Sequence, residues 1–261
     1  MSIADHRARR RGVPGGVSCQ LPENLFTTLG MVIYDGDDWP YLLSSSHALA
    51  AYSQSKVGDP ILQPGPGDGG LDPGDIIADI TTFSPVTTVA AHQADFTLGK
   101  FRDRTISDPQ IIGLGVPSGF WRDDIRVGEQ IWKAGRTTGV TTALIARTDL
   151  SITNTSSGYP VPVTFANLLG FRVEGVDPTP PVELGDSGSI WFDKDMNAVG
   201  MQTAGGIYGD ASQTWVYNLL VPYLPHKVWL DATGLGFNIV ARPSLIRAGA
   251  SRSLEHRRRR R

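Results

Sequence analysis

The chain predicts an all-β fold: two packed antiparallel β-barrels with a short C-terminal helix. Three observations lead there. Thirty glycines and 18 prolines punctuate the 261 residues so often that long helices are excluded until late in the chain. The segments between them are short and rich in β-branched and aromatic residues, which fit a pleated surface. They fall into two groups on either side of Ser107 to Arg122. That stretch contains Pro109, Gly113, Gly115, Pro117 and Gly119, which suit a crossing linker rather than a buried strand.

The first group of expected strands is Leu29 to Tyr34, Tyr41 to Ser45, Asp75 to Phe83 and Asp95 to Phe101. The second is Glu129 to Ala134, Val140 to Asp149, Leu169 to Val176, Ser189 to Phe192, Ala198 to Thr203 and Thr214 to Leu219. Barrel closure removes the exposed edges such strands would otherwise present. A helix is expected over Val221 to Thr233, where apolar and polar residues alternate despite Pro222 and Pro225 near its start. The resulting organisation is a basic N-terminal extension over 1–24, a first barrel over 25–112, a second barrel with its helix over 113–238, and a flexible tail over 239–261. Leu254-Glu255-His256 followed by five arginines reads as an appended tag.

Net charge of −2 hides a segregation. Nine of the 24 basic residues lie in Arg7, Arg9, Arg10, Arg11 and Arg257 to Arg261, so residues 12–256 carry −10. An acidic body disfavours a nucleic-acid face. No apolar run approaches the roughly 20 residues that cross a bilayer, so no membrane partner is expected. No apolar stretch follows the basic N-terminus as a secretory signal requires, which makes cytoplasmic residence the expectation. The one cysteine, Cys19, cannot form an intrachain disulfide and reads as a small apolar filler. Asp59, Asp68, Asp72 and Asp75 in the Gly58 to Gly74 loop read as a solvated turn cluster, with hard-cation ligation as the alternative.

Gly185-Asp186-Ser187-Gly188 sets a hydroxyl between two glycines and reads as a nucleophile turn. A serine nucleophile needs a base within hydrogen-bond reach and an acid to orient that base. Among five histidines, His6 and His256 lie in charged termini, His226 lies between Pro225 and Lys227, and His92 sits in a polar turn. His47 ends an apolar strand and begins a small-residue helical turn, which would present its ring at a barrel rim. Asp95 opens an alternating strand, where a partly buried carboxylate needs a partner. Asp79 and Asp103 compete for that role.

Five ordered motifs resemble the trypsin/chymotrypsin-like serine peptidases, particularly the bacterial and viral branch with short loops and few disulfides. They are Leu43 to Ala50, Ala94 to Leu98, Lys133 to Gly139, Gly185 to Ser189 and Gly200 to Gly206, within a resemblance covering about residues 25–235. The resemblance implies an all-β fold of two packed six-stranded antiparallel β-barrels, with Ser187 as nucleophile, His47 as general base then acid, and Asp95 as the orienting acid. It implies an oxyanion hole from the N–H groups of Gly185 and Ser187, and a peptide-binding edge over Thr203, Ala204, Gly205 and Gly206. Arg136 would pair with Asp186 to lock the nucleophile turn. A peptide or protein substrate follows, with no cofactor and no metal. The Pro178 to Pro181 segment offers no acid, so a strong preference for Lys or Arg is not expected. Ser189 stands where the family often has glycine, and Ser45-Ser46 replaces the usual pair before the histidine; neither change removes a catalytic atom. The alternatives are a catalytically inactive protease-like domain that binds peptide or a protein partner along the same edge, a β-sandwich binding module, and a metal hydrolase using His92, Asp95 and the acidic Gly58 to Gly74 loop.

Overall fold

Short β-branched runs, interrupted by glycine and proline, close into two antiparallel barrels. The computed structural model describes residues 1–23, 26–88, 91–119, 124–154, 162–172, 181–210, 213–222 and 230–239. The chain starts with a short helix, α1 (Ile3–Arg7), and the strands β1 (Val13–Gly15) and β2 (Val17–Cys19). Next come β3 (Thr27–Leu29), β4 (Met31–Tyr34), β5 (Pro40–Ser44), the helical turn α2 (Ser46–Leu49), β6 (Pro60–Leu62) and β7 (Ile76–Phe83). β8 (Ala91–His92), β9 (Thr97–Phe101) and β10 (Ser107–Ile111) complete the first half. The second half holds β11 (Gln130–Gly135), β12 (Gly139–Asn154), β13 (Val163–Arg172), β14 (Ile190–Phe192), β15 (Ala198–Asp210) and β16 (Gln213–Pro222).

In the first barrel the sheet order is β4-β5-β9-β7-β6. Its two ends are joined through β2, which pairs with β3, while Gln20 bridges to Leu62 in β6. β3 then runs through Gly30 into β4. In the second barrel the order is β12-β11-β14-β15-β16-β13, and β12 pairs with β13 to close the ring. β8 adds in parallel to the outside of β13.

Period-2 alternation decides which core each side chain enters. On β14, Ile190 and Phe192 face the large core shared with the first barrel, while Trp191 between them faces the second barrel's own core. There it stacks on Phe171 with ring centroids 4.4 Å apart, and its indole N–H reaches Gln202 Oε1 at 3.0 Å. Each such fully buried side chain contributes roughly 1.5–3 kcal/mol. Cys19 is one of the core residues, and burial pushes its thiol pKa well up.

Several expectations change. Residues 1–23 are not an extension: they pack into the body. β1 pairs in parallel with β10, so the expected linker carries a strand over Ser107–Ile111. The reason is ionic as well as apolar. Asp75 is buried, with Arg9 and Arg11 both on its carboxylate, so this basic run neutralises an acid of the Gly58 to Gly74 loop. Asp68 of the same loop is also paired rather than solvated. The Val221 to Thr233 helix is not formed as expected, because Val221 and Pro222 continue β16; helix occurs at 230–232, and 223–229 lie outside the described residues. Of the expected tail, Ile239 is buried and 240–261 lie outside the described residues. Among the described residues, no helix is long and apolar enough to cross a membrane.

α1 docks through His6, which is buried and donates from Nδ1 to the Gly16 carbonyl at 2.8 Å. Burial lowers the imidazole below its usual 6.5, against the opposing pull of that hydrogen bond. The unfolded chain takes up this proton near 6.5 and the folded chain only at lower pH. Stability should therefore fall as pH drops from about 6.5 toward the lowered native value. Urea midpoints between pH 7.5 and 5.5 should show this slope, and His6→Asn should flatten it. An unchanged slope in the variant would assign the effect to other groups.

Candidate active site

The residues singled out in the sequence meet between the barrels. His47 sits on α2, where Leu49 N–H and Ala50 N–H close the turn onto Ser45 O and Ser46 O, both at 3.0 Å. Three successive residues then take positive φ: Ala51 at 45°, Tyr52 at 54° and Ser53 at 66°. Such conformations are strained for non-glycine residues. Here they end the helix and bring the Tyr52 ring to 5.7 Å from the His47 imidazole. Tyr52 is held there by packing against Val86, Val163, Phe165 and Leu168.

Asp95 precedes β9 and is fully buried. Its Oδ1 accepts the His47 backbone N–H at 2.9 Å, and its Oδ2 lies 2.6 Å from His47 Nδ1. A carboxylate only accepts, so Nδ1 carries the proton and Nε2 is left as an acceptor. Nε2 lies 2.9 Å from Ser187 Oγ, so the hydroxyl proton points at the imidazole. Burial alone would raise the Asp95 pKa; its electrostatic interaction with His47, the His47 hydrogen bonds and the Thr203 hydroxyl outweigh it and hold the carboxyl below the usual range. The competing acids are engaged elsewhere: Asp79 binds Arg102 bidentately, and Asp103 caps the turn at Thr105. His92 is half-buried, with Nε2 against Thr87. Among the described residues, no group of three His, Cys, Asp or Glu is arranged to hold a metal.

The nucleophile turn is built by glycine geometry. Gly185 has φ +100°, and a Cβ there would stand 2.5 Å from Thr137 Oγ1. Gly188 has φ +89°, and its Cβ would stand 2.3 Å from Ser44 Oγ. First-barrel residues hold the turn from one side: Thr28 N–H donates to Ser187 O at 2.9 Å, and Thr28 Oγ1 donates to Gly185 O at 2.8 Å. Asp186 N–H and Gly188 N–H are bonded to Glu183 O and Gln202 O. Among the described residues, the N–H groups of Gly185 and Ser187 donate to no protein acceptor, which leaves both available to an oxyanion.

The expected Arg136–Asp186 pair is not formed. Asp186 is buried against Lys133, whose Nζ stands 3.5 Å from Oδ2 with both side chains fully enclosed. The carboxylate also accepts from Thr137 N–H, Thr138 N–H, Thr138 Oγ1 and Glu183 N–H at 2.7–3.2 Å. Arg136 instead binds Asp68 through two bonds of 2.6 and 2.7 Å. The correction has a simple geometric cause. Lys133 lies two residues after the core residue Ile131 on β11, so the pleat turns both to the inside, whereas Arg136 lies beyond the strand in the turn. Alternation along β11 carried that signal. Thr203, expected on the substrate edge, donates its hydroxyl to Met201 O at 3.3 Å and helps to lower the Asp95 pKa. It interrupts the β15–β16 register between Gln202 and Ala204. Beyond it, the backbone of Ala204, Gly205 and Gly206 pairs with β16 on one side, and β14 has already ended on the other. Of the Pro178 to Pro181 segment only Pro181 is described, and its carbonyl accepts from Thr141 Oγ1 at 2.9 Å.

Burial lowers the Lys133 pKa, with Asp186 opposing the shift. Asp186→Asn should cost roughly 3–5 kcal/mol in urea denaturation, because it strands a buried ammonium. Lys133→Met should cost less, since the carboxylate keeps its other four donors. Equal losses would mean that the hydrogen bonds to Asp186, and not the buried charge, set the stability.

No protein-family model and no curated protein matches the sequence. Among solved structures, the chain is similar to Cellulomonas bogoriensis chymotrypsin at 16% identity, covering 88% of this chain and 99% of that one, with a TM-score of 0.56. Similarity to Nocardiopsis protease is at 14% identity over 84% of this chain and 96% of that one, with a TM-score of 0.55. Similarity to Thermobifida fusca protease A is at 15% identity over the same shares, also with a TM-score of 0.55. At such identities the likeness is one of fold, and the chain has the trypsin/chymotrypsin-like fold of two β-barrels.

Proposed function

We propose that this chain is a serine endopeptidase that hydrolyses peptide bonds through an acyl-enzyme. The observation that carries the reading is the continuous hydrogen-bonded line from Asp95 through His47 to Ser187, beside two uncommitted N–H groups. The three solved structures named above are described as proteases or a chymotrypsin, which supports peptide or protein substrates.

In this reading a peptide lies along the open side of β15 at Thr203 to Gly206, adding a strand to the sheet. Ser187 Oγ attacks the scissile carbonyl while His47 Nε2 takes its proton, and Asp95 stabilises the imidazolium that results. The Gly185 and Ser187 N–H groups receive the oxyanion; losing one such donor typically costs about 2.7–4 kcal/mol of transition-state stabilisation. His47 then returns the proton to the leaving amine, and water repeats the sequence on the acyl-enzyme. The nucleophile turn is held by Asp186 and Lys133 from within the folded chain, so no proteolytic activation step is required.

A serine-directed phosphonate should label Ser187 in the purified chain, and Ser187→Ala should abolish both labelling and peptide cleavage, with kcat falling about 10⁶-fold. Asp95→Asn should lower kcat about 10⁴-fold by favouring the wrong His47 tautomer. Peptide-library cleavage followed by mass spectrometry reads the same activity. A folded chain that neither labels nor cleaves would remove the proposal and leave the inactive peptide-binding domain in its place. Labelling that appears only after N-terminal trimming would overturn the preassembled turn.

A further inference from the structure

Arg136 reaches from the β11–β12 turn of the second barrel to a loop of the first. Its Nε and Nη2 donate to the two carboxylate oxygens of Asp68, in the loop between β6 and β7. Asp68 is held in turn by Ser18 Oγ at 2.6 Å. The guanidinium carbon lies 4.0 Å from the centroid of the Phe26 ring. The paired side chains are only 9% and 5% exposed, so salt screens them weakly.

One edge of the guanidinium remains, and it is spent on the nucleophile turn. Arg136 Nη1 donates to Thr137 Oγ1 at 3.2 Å, which leaves the single Thr137 hydroxyl proton for Leu184 O at 2.7 Å. A planar trans peptide points its C=O and N–H in opposite directions. Holding the Leu184 carbonyl therefore sets the direction of the Gly185 N–H, one of the two donors offered to the oxyanion. The lock is needed because glycine at φ +100° gives this peptide little resistance of its own to rotation. A rotated peptide would present a carbonyl oxygen where a donor is required.

We propose that Thr137, oriented by the Arg136–Asp68 clasp between the barrels, is a positioning residue that keeps the Leu184–Gly185 peptide in its oxyanion-binding orientation. Closure of the two barrels on each other is thereby transmitted to the donor through three side chains. The inference rests on the serine-peptidase reading for its kinetic consequence, though not for its geometry.

The test compares Thr137→Val, Thr137→Ser and Arg136→Lys with the wild type. Thr137→Val keeps the shape and removes the hydroxyl. It should slow phosphonate labelling and lower kcat by about 10-fold, the size of one net hydrogen bond, with KM within about twofold. Thr137→Ser should restore both. Arg136→Lys should lower kcat in the same way, because a single ammonium cannot hold Asp68 bidentately and orient Thr137 as well. Crystal structures supply a readout independent of activity: the Leu184 carbonyl should be rotated or mixed in Thr137→Val and unchanged in Thr137→Ser. Wild-type labelling rates with an unmoved carbonyl in Thr137→Val would overturn the proposal. So would a Thr137→Ser chain as impaired as Thr137→Val, since packing would then be the cause. Should the wild type itself fail to label, the peptidase reading falls, and the carbonyl orientation in Thr137→Val still decides the clasp. If Thr137→Val does not fold, Arg136→Lys carries the same two readouts.

Discussion

Everything at the candidate site is built around one buried carboxylate. Asp186 is fully enclosed, and an anion in that position persists only when its lone pairs are taken up and its charge is balanced. Four hydrogen-bond donors from the Thr137–Thr138 turn and from Glu183 take up the lone pairs, and Lys133 balances the charge. Because Asp186 is flanked by Gly185 and Ser187, holding its side chain places the two peptides that join it to them, while the Leu184–Gly185 peptide is held by Thr137. The turn that exposes the Ser187 hydroxyl is thus a consequence of where a neighbouring charge has to sit.

The site belongs to neither barrel alone. His47 and Asp95 come from the first and Ser187 from the second, and the alignment of Oγ with Nε2 depends on the interface being closed. Thr28 closes it at the backbone, accepting from Arg136 N–H and donating to Gly185 O. The ion pair of Asp68 with Arg136 closes it at the surface of the same turn. The large apolar core, to which Ile190, Phe192 and Met201 contribute from the second barrel, supplies the non-directional part of the same closure. Apolar packing brings the halves together, and the polar contacts set their register.

The N-terminal segment enters the same network from behind. Arg7 Nε donates to the Arg136 carbonyl, and His6 Nε2 lies near Gly139, whose carbonyl Lys133 approaches at 3.4 Å. Arg9 and Arg11 meanwhile hold Asp75, at the far end of the loop that carries Asp68. What composition suggested was a basic N-terminal extension is instead the counter-charge for an acidic loop.

Local pattern was enough for the all-β class and for most strand positions, and together with the order of the five motifs it singled out His47, Asp95 and Ser187, because these leave short-range marks: alternation, a glycine-flanked hydroxyl, a histidine at the end of an apolar strand. Lys133 left one too, in its phase along β11. No such mark exists for partners far apart in the chain. Arg136 and Asp68 are separated by 68 residues, and Arg9 and Asp75 by 66, so pairing among several arginines and aspartates was undetermined until packing chose it. Sequence alone determined which chemical groups the protein owns and on which face of each strand they stand. Tertiary structure decided which acid answers which base, because charge pairing is a matter of distance in space, and distance across the barrel interface is written nowhere along the chain.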